Sequence, residues 1–201
     1  VDIAGLVAGA SKGEGLGNKF LANIRQCDAI IHIVRAFENN DIVHVADKVD
    51  PKDDIEVINT ELILADLQTI ETRLPKIQKE AKAKPSLKPA AEYLSKLVIH
   101  LQSGEPLSSL ANLNIDMISD LHLLTAKPII YAFNVDEETL GNPQKQAELA
   151  SMVLPAKSVF VCAKLEEELK GLEETDAKEL LESYGVKETG LNQMIHSAYN
   201  T

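Results

Sequence analysis

The chain opens with VDIAGL at residues 1–6, followed by VAGASKGEGLGN at residues 7–18 and then a helical pattern. A short apolar strand thus carries one carboxylate, Asp2, into a loop that is rich in glycine. Nucleoside triphosphatases use such a loop to hold water-coordinated Mg²⁺ and to bring a backbone N–H to the γ-phosphate. Asp2 and Gly5, in the pattern D-x-x-G, are therefore candidate site residues. The alternative is an ordinary strand-loop-helix joint in which the glycines serve only to turn the chain.

Composition limits the classes of protein to consider. With 201 residues, 45% of them hydrophobic, the chain can build one sizeable core and a small appended subdomain. The net charge of −11 excludes a protein that binds nucleic acid over its whole surface, so any such contact needs a local basic patch. Cys27 and Cys162 lack metal-ligand spacing and are expected to be buried structural thiols. We expect a cytoplasmic protein with no membrane partner, because neither a signal peptide nor a membrane-spanning run is present.

Three apolar runs of strand length alternate with helical patterns. They lie at residues 28–37, 129–134 and 158–162. This alternation predicts an open, mostly parallel α/β sheet with helices on both faces, and the unbroken run around Ile30 predicts a buried central strand. His32, inside the first run, is interpreted as a core or interface residue and not as a ligand. One long helix is predicted to start at Asp54, and a second helical run is predicted to follow Pro85 and Pro89. The other predicted helices lie at residues 18–26 with Asn18 as cap, 116–124, 143–152, 166–184 and 189–199 with Thr189 as cap.

A helical hairpin is predicted between residues 62 and 105. Two apolar seams repeat with steps of three and four residues and are joined by a short lysine- and proline-containing turn, so two antiparallel helices can bury their stripes against each other. Pro75 is expected to kink or interrupt the first helix. The domain prediction is therefore a nucleotide-binding domain at residues 1–61 and 106–201, with the hairpin inserted at 62–105. The seams comprise Ile63, Leu67, Ile70, Leu74 and Ile77, and Leu87, Ala90, Leu94, Leu97 and Leu101.

Five lysines concentrate around the turn of this hairpin. One interpretation is a solvated helix end, and the other is a salt-sensitive contact with a phosphate backbone that does not depend on base sequence. No aromatic residue lies among these lysines, so base stacking is not expected. The lysines are Lys76, Lys79, Lys82, Lys84 and Lys88.

The second strand ends in Asn134-Val135-Asp136-Glu137. P-loop GTPases read guanine with N-K-x-D at this position, where the Asp accepts hydrogen bonds from guanine N1 and N2, and ligands of parallel sheets bind beyond the carboxyl ends of the strands. Val135 replaces the Lys and Glu137 replaces the Asp. Since Glu137 is one methylene longer, its carboxylate should no longer meet both guanine donors in one plane. The third strand ends in Cys162-Ala163-Lys164, the pattern of the second base-contacting loop.

The order of these motifs resembles the YchF family, the Obg-like ATPases among the translation-factor-related P-loop NTPases. The resemblance covers essentially the whole chain, including FENNDIVHV at residues 37–45, and departs from the family at Ala8, where Lys is usual. It implies that Asp2 binds Mg²⁺ through water and that the N–H of Gly5 contacts the γ-phosphate. It also implies that His44 positions the attacking water, because the hydrophobic Leu6 replaces the usual Gln. The N-x-x-E form implies use of ATP, and the inserted hairpin implies association with ribosomes or ribosomal RNA.

The first hypothesis is therefore an enzyme that hydrolyses ATP, with GTP as an alternative substrate, by in-line attack of water on the γ-phosphate. Asn134, Val135, Glu137, Cys162, Ala163 and Lys164 would surround the base. No G-x-x-x-x-G-K-[ST] occurs in the sequence, so we expect a P-loop segment upstream, a TGS domain after Thr201 and little activity from this piece alone. The second hypothesis is a non-catalytic docking module that uses the hairpin. A dinucleotide-dependent oxidoreductase is disfavoured, since no G-x-G-x-x-G follows a strand.

Overall fold

The structure, a computed structural model, describes residues 16–38 and 49–199. Its helices and strands alternate as the sequence predicts. In chain order they are α1 Leu16–Arg25, β1 Ile30–Arg35, α2 Pro51–Ala83, α3 Lys88–Gln102, β2 Ile129–Asn134, α4 Glu137–Leu140, α5 Pro143–Ser151, β3 Lys157–Val161, α6 Ala163–Leu169, α7 Glu174–Ser183 and α8 Gly190–Tyr199.

The described strands form one parallel sheet in the order β1-β2-β3. The predicted parallel α/β fold is thereby confirmed. The prediction that β1 is the buried central strand is wrong for the described part of the chain, where β2 is central. Along β1 the burial alternates, and the side chain of Ile33 is 68% exposed. Among the described residues β1 therefore has one covered and one exposed face, whereas β2 is buried on both.

The described residues form two compact units, and the sheet belongs to the one that comprises Ala29–Ile55 and Ile129–Thr201. Successive side chains of β2 point to opposite faces of the sheet. Tyr131 and Phe133 join a core with residues of β1 and of the helices between α4 and α7. Ile130 and Ala132 pack on the other face beneath Met194 and Ala198 of α8. Helices therefore cover both faces of β2, as the alternating pattern predicts.

The other unit comprises the described residues up to Asp28 together with Glu56–Pro128. Its core joins the predicted seams of α2 and α3, so the helical hairpin is confirmed. α2 extends over 33 residues and is not interrupted at Pro75. Ile70 and Ile77 remain buried on either side of the proline, and their packing offsets the lost backbone hydrogen bond. The domain boundaries at residues 61 and 105 stay a prediction.

A buried carboxylate fixes the segment that follows the hairpin. Asp66 of α2 is fully buried, and its Oδ1 accepts a hydrogen bond from the N–H of Leu124 at 2.8 Å. Its Oδ2 accepts two more from Thr125, from the N–H at 2.8 Å and from Oγ1 at 2.7 Å. Thr125 Oγ1 in turn accepts from the N–H of Leu107 at 3.2 Å. Burial raises the pKa of Asp66, and the donors offset this rise only in part.

This network explains why the predicted helix at residues 116–124 is wrong. Two single 3₁₀ turns form instead, Ile115–Met117 and Ser119–Leu121. His122 follows with a left-handed backbone at φ +47°, which no right-handed helix can contain. The amide groups of Leu124 and Thr125 then bond to Asp66, whereas a helix would need them for its own ladder.

Other local differences are small. α1 begins at Leu16, so Asn18 lies within its first turn and is not the cap. The predicted helix at residues 166–184 is broken between α6 and α7, where Gly171 adopts φ +89°. The Thr189 cap is confirmed, because its Oγ1 accepts from the N–H of Asn192 at 3.2 Å. Cys162 is buried as predicted, but Cys27 is only half-buried. Every helix in the described part of the chain is too short or too polar to cross a lipid bilayer.

Candidate nucleotide-binding site

The two predicted base-contacting loops lie side by side. β2 and β3 are hydrogen-bonded neighbours, and Asn134 at the end of β2 pairs in register with Val161 at the end of β3. The N–H of Val135 donates to the carbonyl of Val161 at 2.8 Å, which continues the pairing beyond the strands. The carboxyl ends of these strands therefore bring residues 134–137 next to residues 162–164, at the edge where parallel sheets bind ligands.

Asn134 links the two loops through its side chain. Its Oδ1 accepts a hydrogen bond from the N–H of Ala163 at 3.2 Å. Because the carbonyl oxygen of the amide is used in this way, the Nδ2 group is the part of the side chain that can donate to a ligand. Val135 is 2% exposed and its side chain belongs to the core, so this residue can offer a ligand only its backbone.

Asp136, the acidic residue between Val135 and Glu137, has a structural role that the sequence analysis missed. Asp136 caps α4, and its Oδ1 accepts from the N–H of Thr139 at 2.8 Å. A hydrogen bond from the Thr139 side chain is the main reason that the pKa of Asp136 is lowered, and the bond from the Thr139 N–H adds to it. The signal was present in the sequence, since Asp is a preferred N-cap residue and Glu137 and Glu138 follow it in the first turn. The cap makes Glu137 the first residue of α4 and so fixes where its side chain begins.

Glu137 and Lys164 form an ion pair across the two loops. Glu137 Oε1 lies 2.6 Å from Lys164 Nζ, and the two side chains are 30% and 70% exposed. The hydrogen bond from Lys164 lowers the pKa of Glu137, and the same bond raises the pKa of Lys164. The Glu137 carboxylate, which replaces the guanine-reading Asp, is therefore ionised and already has a cationic partner. The two residues belong to separate motifs, and neither motif predicts their pairing.

Cys162 and Ala163 place backbone groups beside this pair. Cys162 is 3% exposed, and burial raises the pKa of its thiol, so its side chain is not an activated nucleophile. Its carbonyl accepts from the N–H of Glu166 and thereby starts α6. Ala163 is exposed, and its N–H is engaged by Asn134. The backbone of the C-A-K segment thus places Lys164 beside Glu137.

A close approach behind the site holds α8 against β3. Glu166 Oε1 accepts a hydrogen bond from the N–H of Gly190 at 2.6 Å. A Cβ atom at Gly190 would lie 2.8 Å from Cγ2 and 2.9 Å from Cα of Val161. Only glycine fits without displacing the end of β3, the strand that carries residues 162–164.

The remaining candidate residues cannot be located. Asp2, Gly5 and His44 lie outside the described residues. Within residues 16–38 and 49–199, no three His, Cys, Asp or Glu side chains gather in a way that could bind a metal ion. The Mg²⁺ site therefore stays a prediction from the sequence.

The hairpin lysines lie on the other compact unit and are all exposed. Lys82 and Lys88 line an open groove between α2 and α3, together with Gln78 and Ser95. Among the described residues, none of the five lysines forms a salt bridge with an acidic side chain. Tyr93, the aromatic residue of α3, is committed elsewhere, because its hydroxyl accepts a hydrogen bond from the N–H of Asn114 at 2.7 Å. The lysines are Lys76, Lys79, Lys82, Lys84 and Lys88.

Comparison with known proteins gives a consistent set of relatives. The chain is 46% identical to the ribosome-binding ATPase YchF of Bacillus subtilis, over 99% of the chain and 57% of that protein. It is 43% identical to the protein of the same name from Escherichia coli O157:H7, over 99% of the chain and 56% of that protein. The chain therefore spans somewhat more than half the length of these relatives. No protein-family model matches the chain.

A solved structure agrees with these sequence matches. The Schizosaccharomyces pombe YchF GTPase superposes with a TM-score of 0.77 at 30% identity, over 94% of the chain and 53% of that protein. The chain belongs to the YchF family of Obg-like proteins.

Proposed function

We propose that the whole protein to which this chain belongs is a ribosome-associated nucleoside triphosphatase that hydrolyses ATP, with GTP as an alternative substrate. The observation that carries the proposal is the meeting of Asn134, Glu137 and Lys164 at the carboxyl ends of β2 and β3. The names of the relatives support it, since two are called ribosome-binding ATPases and one structure is called a GTPase.

In this proposal the described residues bind the base. The Nδ2 group of Asn134 donates to a ring acceptor, while the backbone of Val135 and of Cys162-Ala163 borders the base edge. The aliphatic stem of Lys164 packs on the ring, because that side chain is exposed and its charged end is held by Glu137. The longer Glu137 no longer meets both guanine donors, and adenine does not need that contact, so guanine selectivity is lost and ATP is accepted.

The chemical step would use residues outside the described part of the chain. Asp2 would hold Mg²⁺ through water, Gly5 would donate its N–H to the γ-phosphate, and His44 would help to place the attacking water. These roles rest on the sequence resemblance alone. The sequence contains no phosphate-cradling G-x-x-x-x-G-K-[ST], so we expect this piece by itself to hydrolyse ATP very slowly.

The substitution Asn134→Ala tests the base-binding site. It removes the donor to the base and the link to Ala163, so we expect ATP and GTP both to bind the whole protein about tenfold or more weakly. Asn192→Ala is the matched control, because Asn192 is an exposed residue of α8. Binding is measured by titrating fluorescent nucleotides. Equal affinities for both variants and the parent protein would place the nucleotide elsewhere.

A docking role for the hairpin is the second candidate function. The five exposed lysines carry positive charge in a chain of net charge −11, and charge complementarity favours a phosphate backbone such as that of ribosomal RNA. The ribosome-binding names of the relatives support this partner and a cytoplasmic location. Docking and hydrolysis can coexist, since the lysines and the candidate nucleotide site lie in different units.

Paired lysine substitutions separate the two roles. Lys79→Gln with Lys82→Gln should weaken sedimentation with ribosomes and lower the salt dependence of binding by about one unit of slope per lost phosphate contact. Lys178→Gln with Lys187→Gln removes the same charge from exposed positions outside the hairpin and should change neither quantity. Nucleotide affinity should stay the same in both variants. If both pairs weaken ribosome binding equally, the hairpin has no special part in docking.

A further inference from the structure

The ion pair between Glu137 and Lys164 is the feature of the site that no sequence motif predicts. Lys164 Nζ approaches Glu137 Oε1 to 2.6 Å, while Asn134 Oδ1 accepts from the N–H of Ala163. The two base-contacting loops are therefore joined twice, once by a neutral hydrogen bond and once by a charged one. The charged link engages the same carboxylate that replaces the guanine-reading Asp.

We infer that Lys164 is a specificity-determining residue, which favours adenine nucleotides by holding the Glu137 carboxylate away from guanine. This inference rests on the proposed function, because it requires that the base bind between these loops. It replaces the argument based on the length of the Glu137 side chain, because it requires that the released carboxylate can reach guanine and it assigns the discrimination to a second residue.

Hydrogen-bond chemistry gives the reason. Guanine presents two adjacent donors, N1–H and N2–H, and a carboxylate reads both by using its two oxygens in one plane. Lys164 already donates a charge-assisted hydrogen bond to one of those oxygens. Guanine must therefore compete with an ammonium group for the acceptor. Adenine carries no such pair of donors, so its binding does not require the carboxylate to be released.

The position of the pair supports a functional task over a stabilising one. Lys164 is 70% exposed, and exposed ion pairs contribute little to folding. The chain offers a comparison in Lys170 and Glu167, which also lie 2.6 Å apart, with both side chains 73% exposed. That second pair joins Glu167 of α6 to Lys170, the residue directly after the helix. The Glu137–Lys164 pair instead spans the two loops of the site.

The test compares Lys164→Met with Lys170→Met in the whole protein. Met keeps an unbranched apolar stem but cannot donate to the carboxylate. Fluorescent ATP and GTP are titrated separately, and the ratio of the two dissociation constants is the readout. We expect Lys164→Met to shift this ratio toward GTP by about tenfold, the scale of one hydrogen bond to a charged group. Lys170→Met should leave the ratio unchanged, and Lys164→Arg, which retains the pair, should do the same.

A double variant identifies the carboxylate as the group released. Adding Glu137→Gln to Lys164→Met should abolish the shift, because an amide offers guanine one acceptor oxygen and not two. A ratio that stays within twofold of the parent in Lys164→Met would overturn the inference while the proposed function stands. A shift that persists in the double variant would also overturn it. Failure of the parent protein to bind either nucleotide would refute the proposed function itself, and the inference with it.

Discussion

Replacing Asp66 by Ala should strongly destabilise the unit that contains the hairpin. Asp66 is fully buried and accepts three hydrogen bonds, from the N–H of Leu124 and from the N–H and Oγ1 of Thr125. Leu124 and Thr125 are also buried, at 0% and 1% exposure. The substitution therefore leaves three donors without their acceptor in a place that water reaches poorly.

The size of the effect follows from these contacts. Each buried donor that loses its partner costs about 1–3 kcal/mol, and partial relaxation of the segment reduces the sum. We expect a loss of about 3–5 kcal/mol in the free energy of unfolding, in the range measured when one member of a buried charged network is removed. Thr125→Val removes one donor to Asp66 and the acceptor of the Leu107 N–H, and should cost about 1–2 kcal/mol.

Urea unfolding followed by circular dichroism measures both variants. The dependence of the unfolding free energy on urea should keep its slope, since the fold and its buried surface are unchanged. Amide hydrogen exchange of Leu124 and Thr125 gives a local readout, and both amides should lose protection in Asp66→Ala. A loss below about 1 kcal/mol, or an equal loss in Thr125→Val, would refute the idea that this carboxylate anchors the segment.

Two further predictions concern the unit that contains the sheet. His32 lies against the ring of Tyr131, and burial lowers its pKa to about 4 although Asp54 acts in the opposite direction. Between about pH 6.5 and 4 the unfolded chain binds a proton at His32 and the folded chain does not. The free energy of unfolding should therefore fall by roughly 3 kcal/mol as the pH falls through this window. A series of urea unfolding curves at different pH measures this fall, and His32→Gln should flatten it. Gly190→Ala should cost about 1–3 kcal/mol in thermal unfolding, because its Cβ would press on the backbone of Val161. Gly141→Ala should be close to neutral, since the nearest atom to its Cβ would be the carbonyl oxygen of Tyr184 at 3.5 Å and its φ is −85°; equal losses in the two glycine variants would contradict this explanation.

Much of the fold could be predicted because its signals are local. The apolar runs of β2 and β3 have the length of buried strands, and the seams of α2 and α3 repeat with the helical period over several turns. Those patterns determine which faces pack, so the parallel sheet and the hairpin follow from them. Thr189 likewise predicts the start of α8, because a capping Thr lies directly before the helix.

The errors arose where distant residues determine the local structure. Nothing near residues 116–124 shows that Asp66, 58 residues before Leu124 in the chain, takes the amide groups that a helix would need. The exposure of Ile33 depends on which strands flank β1, and an apolar run does not encode that neighbourhood.

In the candidate site, too, local patterns predict some features and only the folded chain shows the others. The N-x-x-E and C-A-K patterns indicate which loops meet, because both follow strands of one parallel sheet. They do not predict that Glu137 is paired with Lys164, since side chains from two separate loops meet only in the folded chain. The capping role of Asp136 could have been found from the sequence, because Asp is a preferred N-cap and two acidic residues follow it.

The most direct test of the central claim is a parallel titration of fluorescent ATP and GTP into the whole protein with Mg²⁺ present. A site built from Asn134, Glu137 and Lys164 predicts saturable binding of both nucleotides, with the smaller dissociation constant for ATP. A clear preference for GTP would contradict the interpretation of Glu137. Binding of neither nucleotide would contradict the nucleotide site as a whole and would leave the hairpin as the functional element.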